Sequence, residues 1–352
     1  MEIDQRKLGE FMNRVVSDVG AAMSGVLSLM GDELGIYKAM AKSGPVTPAE
    51  LASLTRTNER YVREWLNAQA AGSYVSYDAS SGRYTLPPEQ AFALAEELSP
   101  VFSSGFFQVT KAMWQSEERI VQNFRDGRGT EWGEHHQCLF AGTERSFRAA
   151  YLGYLLSEWI PALENVELKL RNGAKAADVG CGHGASTILL AKAFPTSRFW
   201  GFDSHAPSIE LARQRAREAG VEARVHFEVA RATDYPGRAY DLVAHFDSLH
   251  DMEDPDAAAR HARSSLADDG TWMVVEPRAS DRPEENHNPI GRLFYSVSTM
   301  VCVPHSLSRR GPALGAQAGE ARLREVIVTR GGFSRLRRAF ETPFNLVLEA
   351  RP

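Results

Sequence analysis

Apolar positions in the first 42 residues recur at helical spacing. Leu27, Met30, Leu34, Ile36 and Met40 form a stripe, interrupted by Gly31, Asp32-Glu33 and Gly35. Residues 1–42 are therefore predicted helical. Thr47, Pro48 and Glu50 make a capping box with proline at the first helical position, so a short helix to Leu54 follows. The stretch 58–71 carries Tyr61, Val62, Trp65 and Leu66 on one face, with Asn58 as its cap and Gly72 as its expected C′ residue. Two short alternating runs, 74–77 and 83–86, flank the turn-rich 78–82 and predict a β-hairpin. Residues 89–172 read as mostly helical and are rich in aromatics. Trp114, Trp132, Phe140, Tyr151, Tyr154 and Trp159 are among them, mostly as core, with some able to cover a cleft.

From Gly173 onward the period alternates between strand and helix. Strands are predicted at 175–180, 198–203, 224–229, 240–246, 271–276, 333–340 and 344–350. Helices are predicted at 185–193, 206–219, 255–266 and 319–330. That order implies a parallel, doubly wound α/β sheet. The connection Glu341-Thr342-Pro343 is too short for a parallel crossover, so the last two strands must form an antiparallel edge hairpin. Three helices and a hairpin at the start make a winged-helix pattern. We expect a winged-helix dimerisation domain over 1–100 and a helical linker covering the active site over 101–172. A catalytic domain follows over 173–352, with the insert 277–318 as a substrate cap.

Composition narrows the function. The chain has 352 residues, 43% hydrophobic and 24% charged, ordinary for a globular protein. A net charge of −5 argues against general nucleic-acid or membrane affinity. The recognition-like helix offers Arg60 and Arg63 but cancels them with Glu59 and Glu64, so a DNA-binding role is disfavoured. The start is too polar for a secretory signal, and the charge-free runs 19–31 and 293–304 are too short to span a membrane. Cys138, Cys181 and Cys302 are widely spaced and suit a reducing cytoplasm. The spacing of Cys302 and His305 fits no metal template, and no metal is expected. The apolar N-terminal helix predicts a homodimer.

The chemistry centres on Asp178-Val179-Gly180-Cys181-Gly182-His183-Gly184, set between strand and helix. Glycines there let the backbone bend and a ligand approach. Asp203 ends the next strand, where a carboxylate can accept from both ribose hydroxyls. The turn alone also matches a dinucleotide fingerprint, which keeps a nicotinamide oxidoreductase in view. A winged-helix regulator that senses a cofactor is a further alternative.

With Asp203, Leu249-His250-Asp251 before a helix, Val275-Glu276-Pro277 and the terminal hairpin, the chain resembles class I S-adenosylmethionine-dependent methyltransferases. It is most similar to winged-helix small-molecule O-methyltransferases and a largely uncharacterised bacterial group. The resemblance implies a Rossmann-like α/β sheet with an antiparallel C-terminal hairpin behind a mainly helical winged-helix domain. It implies S-adenosyl-L-methionine as cofactor and S-adenosyl-L-homocysteine as product. Asp178, Gly180, Cys181, Gly182 and Gly184 would line the methionine part. Asp203 and Ser204 would meet the ribose, and Ala232, Thr233 and Asp234 the adenine. Phe246 and Asp247 would border the sulfonium. His250 would be the general base for a hydroxyl acceptor, with Asp251 or Glu276 orienting its ring. Arg231 stands where the family often has an acid, and Met252 where it usually has tryptophan, which widens the acceptor wall. Met252, Tyr295, Cys302 and His305 are expected near the acceptor. N-, C- or S-methyl transfer, or non-methylating chemistry on the same fold, are the alternatives.

Overall fold

The computed structural model describes residues 3–352. Their contacts form two compact units: Met1–Lys111 with Ala141–Ala149, and Ala112–Phe140 with Ala150–Pro352. No helix among the described residues is long and apolar enough to cross a membrane.

The first unit opens with α1 (Gln5–Glu33), capped by Asp4, then turns at left-handed Gly35 into α2 (Ile36–Ser43). The expected capping box at Thr47 starts α3 (Pro48–Thr55). Asn58 caps α4 (Glu59–Ala71), which leads to the hairpin β1 (Ser76–Asp78) and β2 (Arg83–Thr85). Gly72 is the C-cap of α4 with negative φ, and the left-handed residue after it is Ser73. A close contact sets the position of α1. Trp65 Nε1 donates to Leu27 O at 2.8 Å, and a Cβ on Gly31 would lie 2.5 Å from the Trp65 ring. Tyr37 packs edge-on to Trp65 and donates its hydroxyl to Gln69 Oε1 at 2.6 Å. Beyond α5 (Pro88–Leu94), Arg145 of the returning segment meets Asp32 and Glu97, each at 2.7 Å.

The chain continues through α6 (Ser104–Asp126) and α7 (Gln137–Ala150), then a π-type stretch, Tyr151–Trp159. Short helices α8 (Ile160–Ala162) and α9 (Val166–Asn172) bring it to the sheet of the second unit. The strands are β3 (Lys175–Val179), β4 (Arg198–Asp203), β5 (Val225–Val229), β6 (Tyr240–Phe246), β7 (Leu266–Pro277), β8 (Arg335–Glu341) and β9 (Asn345–Arg351). Their order is β5-β4-β3-β6-β7-β9-β8. All pairs are parallel except those of β9, which runs antiparallel to β7 and β8, as the short connection requires.

Helices α10 (Ala185–Ala193), α11 (Ala206–Glu218) and α12 (Pro255–Ser265) fill the crossovers. Small residues Ala258, Ala259 and Ala262 on α12 are fully buried and join the core around Trp272, Phe202, Leu348 and Phe333. Each fully buried Leu or Phe in such a core contributes about 2 kcal/mol.

In the second unit, two boundaries differ from the pattern by more than two residues. β7 starts at Leu266 rather than 271, because Leu266 pairs with Tyr240 before a register shift. The helix expected at 319–330 is α-helical only over Gly319–Arg324 and widens to π-type turns over Glu325–Arg330. Between β7 and that helix, the insert holds two further helices (Pro289–Val297 and Val303–Ser308), joined by a π-type stretch.

Candidate active site

The glycine turn follows β3, at the carboxyl end of the parallel strands. Gly180, Gly182 and Gly184 all have positive φ. The reasons differ. A Cβ on Gly184 would meet the Phe227 ring at 2.5 Å, and one on Gly180 would meet Ser248 Oγ at 3.0 Å. A Cβ on Gly182 would meet nothing within 4 Å, so that position faces open space. Phe202 O accepts from both Gly180 N–H and Cys181 N–H, fixing the bend against β4. Cys181 is buried, and burial raises its thiol well above the usual range.

Asp178 is buried at the end of β3. Its Oδ2 accepts from the Ser186 and Thr187 hydroxyls, both at 2.6 Å, while Oδ1 has no hydrogen-bond partner among the described residues. Burial, only partly offset by those two bonds, raises the carboxyl to about 6. Ser248 Oγ, beside Gly180, is a second buried polar atom without a hydrogen-bond partner among the described residues. Buried polar atoms left without a partner are uncommon in a folded chain. Ser248 carried no signal in the sequence, because its role depends on β3 and β6 being neighbours.

Asp203 Oδ2 accepts from Gly182 N–H at 2.9 Å and Oδ1 from His205 N–H at 2.8 Å. Burial raises this carboxyl. A carboxylate has about four acceptor positions, so both oxygens keep capacity for a diol. Ser204 is exposed beside it, and Ala232 and Thr233 are half-buried. Asp234 is exposed and ion-paired to Arg231 at 2.8 Å; the Arg231 bond lowers its carboxyl. Asp234, expected near an adenine, is thus already engaged by Arg231.

Phe246 ends β6 and packs edge-on to Tyr151 at 5.1 Å, close to Trp159. Asp247 follows in a left-handed conformation, φ 48°. Asn345 Nδ2 donates to both its oxygens at 3.1 Å. Burial, then the Glu276 charge, push Asp247 well above the ordinary carboxylate range. Asn345 was not expected from the sequence: it lies 98 positions from Asp247 and comes from the hairpin.

His250 sits in the helical turn Leu249–Asp251 and is buried. Its Nδ1 is 2.5 Å from Glu276 Oε2, while Glu276 Oε1 accepts from Leu249 N–H at 2.9 Å. Glu276 therefore holds the ring, and Asp251 does not bond it among the described contacts. Burial opposes charge on the ring, yet Glu276 and then Cys302 carry His250 well above the usual imidazole range. Nε2 faces Cys302 Sγ at 3.3 Å. Asp251 is half-buried and burial raises its carboxyl. Asp254 is the N-cap of α12.

The remaining expected acceptor residues divide. Cys302 reaches His250. His305 packs edge-on to Trp132 at 6.0 Å and has a buried Nδ1 without a hydrogen-bond partner among the described residues. Phe140 packs on His205 at 4.7 Å, so residues 132–140 bring aromatic rings to this end of the sheet. Met252 packs against the sheet core. Tyr295 lies on the first insert helix, about one-third exposed at 37%.

Two family models match. Residues 170–317 match a methyltransferase domain, and residues 21–96 an Rv2258c-like winged HTH domain. The chain is 36% identical over 141 residues to 27-O-demethylrifamycin SV methyltransferase of Amycolatopsis mediterranei (strain S699), covering 38% of this chain and 52% of that protein. It is 32% identical over 115 residues to fatty-acid O-methyltransferase of Mycolicibacterium smegmatis (strain ATCC 700084 / mc(2)155), covering 32% of this chain and 40% of that one. The chain thus spans about half, or less, of the length of these curated relatives. Its fold is similar to that of the mitomycin 7-O-methyltransferase MmcR, with TM-score 0.71, 18% identity and 99% and 100% of the two chains covered. Human N-acetylserotonin methyltransferase, solved with SAM, gives 0.70, 16% identity and 97% of each chain.

Proposed function

We propose that this chain, which carries a methyltransferase domain behind a winged helix-turn-helix domain, transfers a methyl group from S-adenosyl-L-methionine to a hydroxyl of a small molecule. The observation that carries this reading is the buried His250–Glu276 pair, two residues beyond Ser248, whose Oγ would lie 3.0 Å from a Cβ on Gly180 of the glycine turn.

The residues fit the cofactor. The unpartnered Asp178 Oδ1 and Ser248 Oγ suit an ammonium and its neighbouring groups, and Asp203 retains acceptor capacity for a ribose diol. S-adenosylmethionine, when bound, supplies a methyl already activated on a sulfonium. Asp178 orients the amino-acid end, Gly182 leaves room for it, and Phe246 gives an apolar wall. His250 Nε2 takes the acceptor's proton, and Glu276 stabilises the imidazolium that results. The protein's further contribution is alignment of the acceptor oxygen.

The winged-helix surface supports a small-molecule role over DNA binding. Arg60 pairs with Glu64, Arg63 with Glu59 and Arg83 with Glu50. A second copy is the partner best suited to α1. Met12, Val16, Val19, Met23, Val26 and Met30 are all exposed, and their spacing alternates four and three. That is a coiled-coil seam.

The test is calorimetry with S-adenosylmethionine and S-adenosylhomocysteine, with NAD as control, followed by labelled-methyl transfer to hydroxylated small molecules. Binding of the first two and labelling of an oxygen are expected. Binding of NAD alone would overturn the reading.

A further inference from the structure

The sequence spacing of Cys302 and His305 excluded a metal template. The fold brings different residues to Cys302. His250 arrives from 52 positions earlier, and its Nε2 lies 3.3 Å from Cys302 Sγ. Asp251 is next in the chain, and one ligand atom from each of the three residues lies within 4.8 Å of the others. A tetrahedral zinc ion, with Zn–S of about 2.3 Å and Zn–N of about 2.0 Å, separates sulfur and nitrogen by about 3.6 Å. The observed spacing is within a few tenths of that.

A second observation points the same way. Glu276 holds His250 Nδ1 and is itself pinned by Leu249 N–H. With Nδ1–H donating to Glu276, Nε2 is the ring atom that faces Cys302, and loss of its proton leaves a lone pair aimed at the sulfur. Metal-binding histidines are commonly held this way, by a carboxylate behind the ring.

We propose that His250 Nε2, Cys302 Sγ and an Asp251 oxygen form a three-ligand site for a borderline-soft divalent cation of the zinc class. Binding replaces the thiol proton of Cys302 and, where the ring is charged, the Nε2 proton of His250; both are released to solvent as the sulfur–metal and nitrogen–metal bonds form. A thiolate, an imidazole and one carboxylate select such a cation over magnesium or calcium, which prefer oxygen donors. A cation seated there takes the Nε2 lone pair that the proposed base needs, so metal loading and proton abstraction exclude each other. Only that last consequence rests on the proposed function.

Cobalt(II) titration of the full chain, stripped with a chelator, tests the site. About one equivalent is expected to bind with an intense thiolate-to-cobalt absorption band. Cys302→Ser removes the band, and Glu276→Gln weakens binding about 10-fold to 100-fold. Circular dichroism of both variants checks that they fold. No band in the native chain, or a band that survives in folded Cys302→Ser, overturns the proposal. Neither outcome depends on methyl transfer, so failure of the proposed activity reads out separately.

Discussion

His250 Nδ1 and Glu276 Oε2 lie 2.5 Å apart, with both side chains sealed from water. Burial alone would keep the ring neutral; the carboxylate reverses the outcome. The folded-state pKa is raised above the ordinary imidazole value, so base activity is expected to rise with pH through that raised value. Glu276→Gln leaves the burial and removes the charge. The acidic limb of the pH profile for kcat/KM is then expected to move to lower pH, with a lower plateau. A limb that stays put or moves upward contradicts the pairing. His250→Ala should lower kcat about 10²- to 10⁴-fold while cofactor affinity in calorimetry holds.

Asp178 predicts opposite effects on stability and binding. Its carboxyl is raised from 3.8 to about 6 by burial. The folded chain therefore binds more protons than the unfolded one between those values, and stability falls as pH rises through that window. Asp178→Asn removes this cost. Without ligand, the variant should gain 1–3 kcal/mol (order of magnitude) over the native chain at pH 8 and nothing at pH 3.5. Its cofactor affinity should fall at least tenfold. Denaturant melts at the two pH values, with calorimetry, check both. Equal stability at pH 8 would count against the buried charge.

The glycine turn separates packing from ligand approach. Gly184→Ala meets Phe227 and adopts positive φ, so it should destabilise the chain by about 2–4 kcal/mol. Gly182→Ala meets no atom of the described residues within 4 Å and should cost only about 1–2 kcal/mol, from its backbone conformation. Its larger effect should be on cofactor affinity. Thermal melts beside binding curves distinguish the two, and a ligand-neutral Gly182→Ala would remove position 182 from the cleft.

The α1 seam predicts self-association. Val16→Glu with Met23→Glu should shift the chain from dimer to monomer in light scattering at micromolar concentration, with helix content retained. A native chain that is already monomeric refutes the seam.

Much of the fold was legible in the sequence where local signals agree. The capping box at Thr47, the bounds of α10 and β6, and the antiparallel hairpin all follow from a few adjacent residues. The start of β7 was not, since Asp268, Asp269 and Gly270 give a turn signal that pairing of Leu266 with Tyr240 overrides. For the candidate site, Asp178, Asp203 and His250 stand out by motif. Ser248, Asn345 and the Cys302–His250 contact do not, because each depends on which strands lie side by side. The π-type widening at Tyr151–Trp159 likewise has no periodic signature.

Asn345 ties the final hairpin to Asp247, at the far end of β6. A chain emerges from its N-terminus during synthesis, so the glycine turn is made more than a hundred residues before this brace exists. The cleft is finished from two directions in time as well as in space. A chain halted before Thr342 would present a formed turn and an unsupported wall, and β7 would be left as an open edge. Completion of the last strand is thus a checkpoint on the site, not only on the sheet.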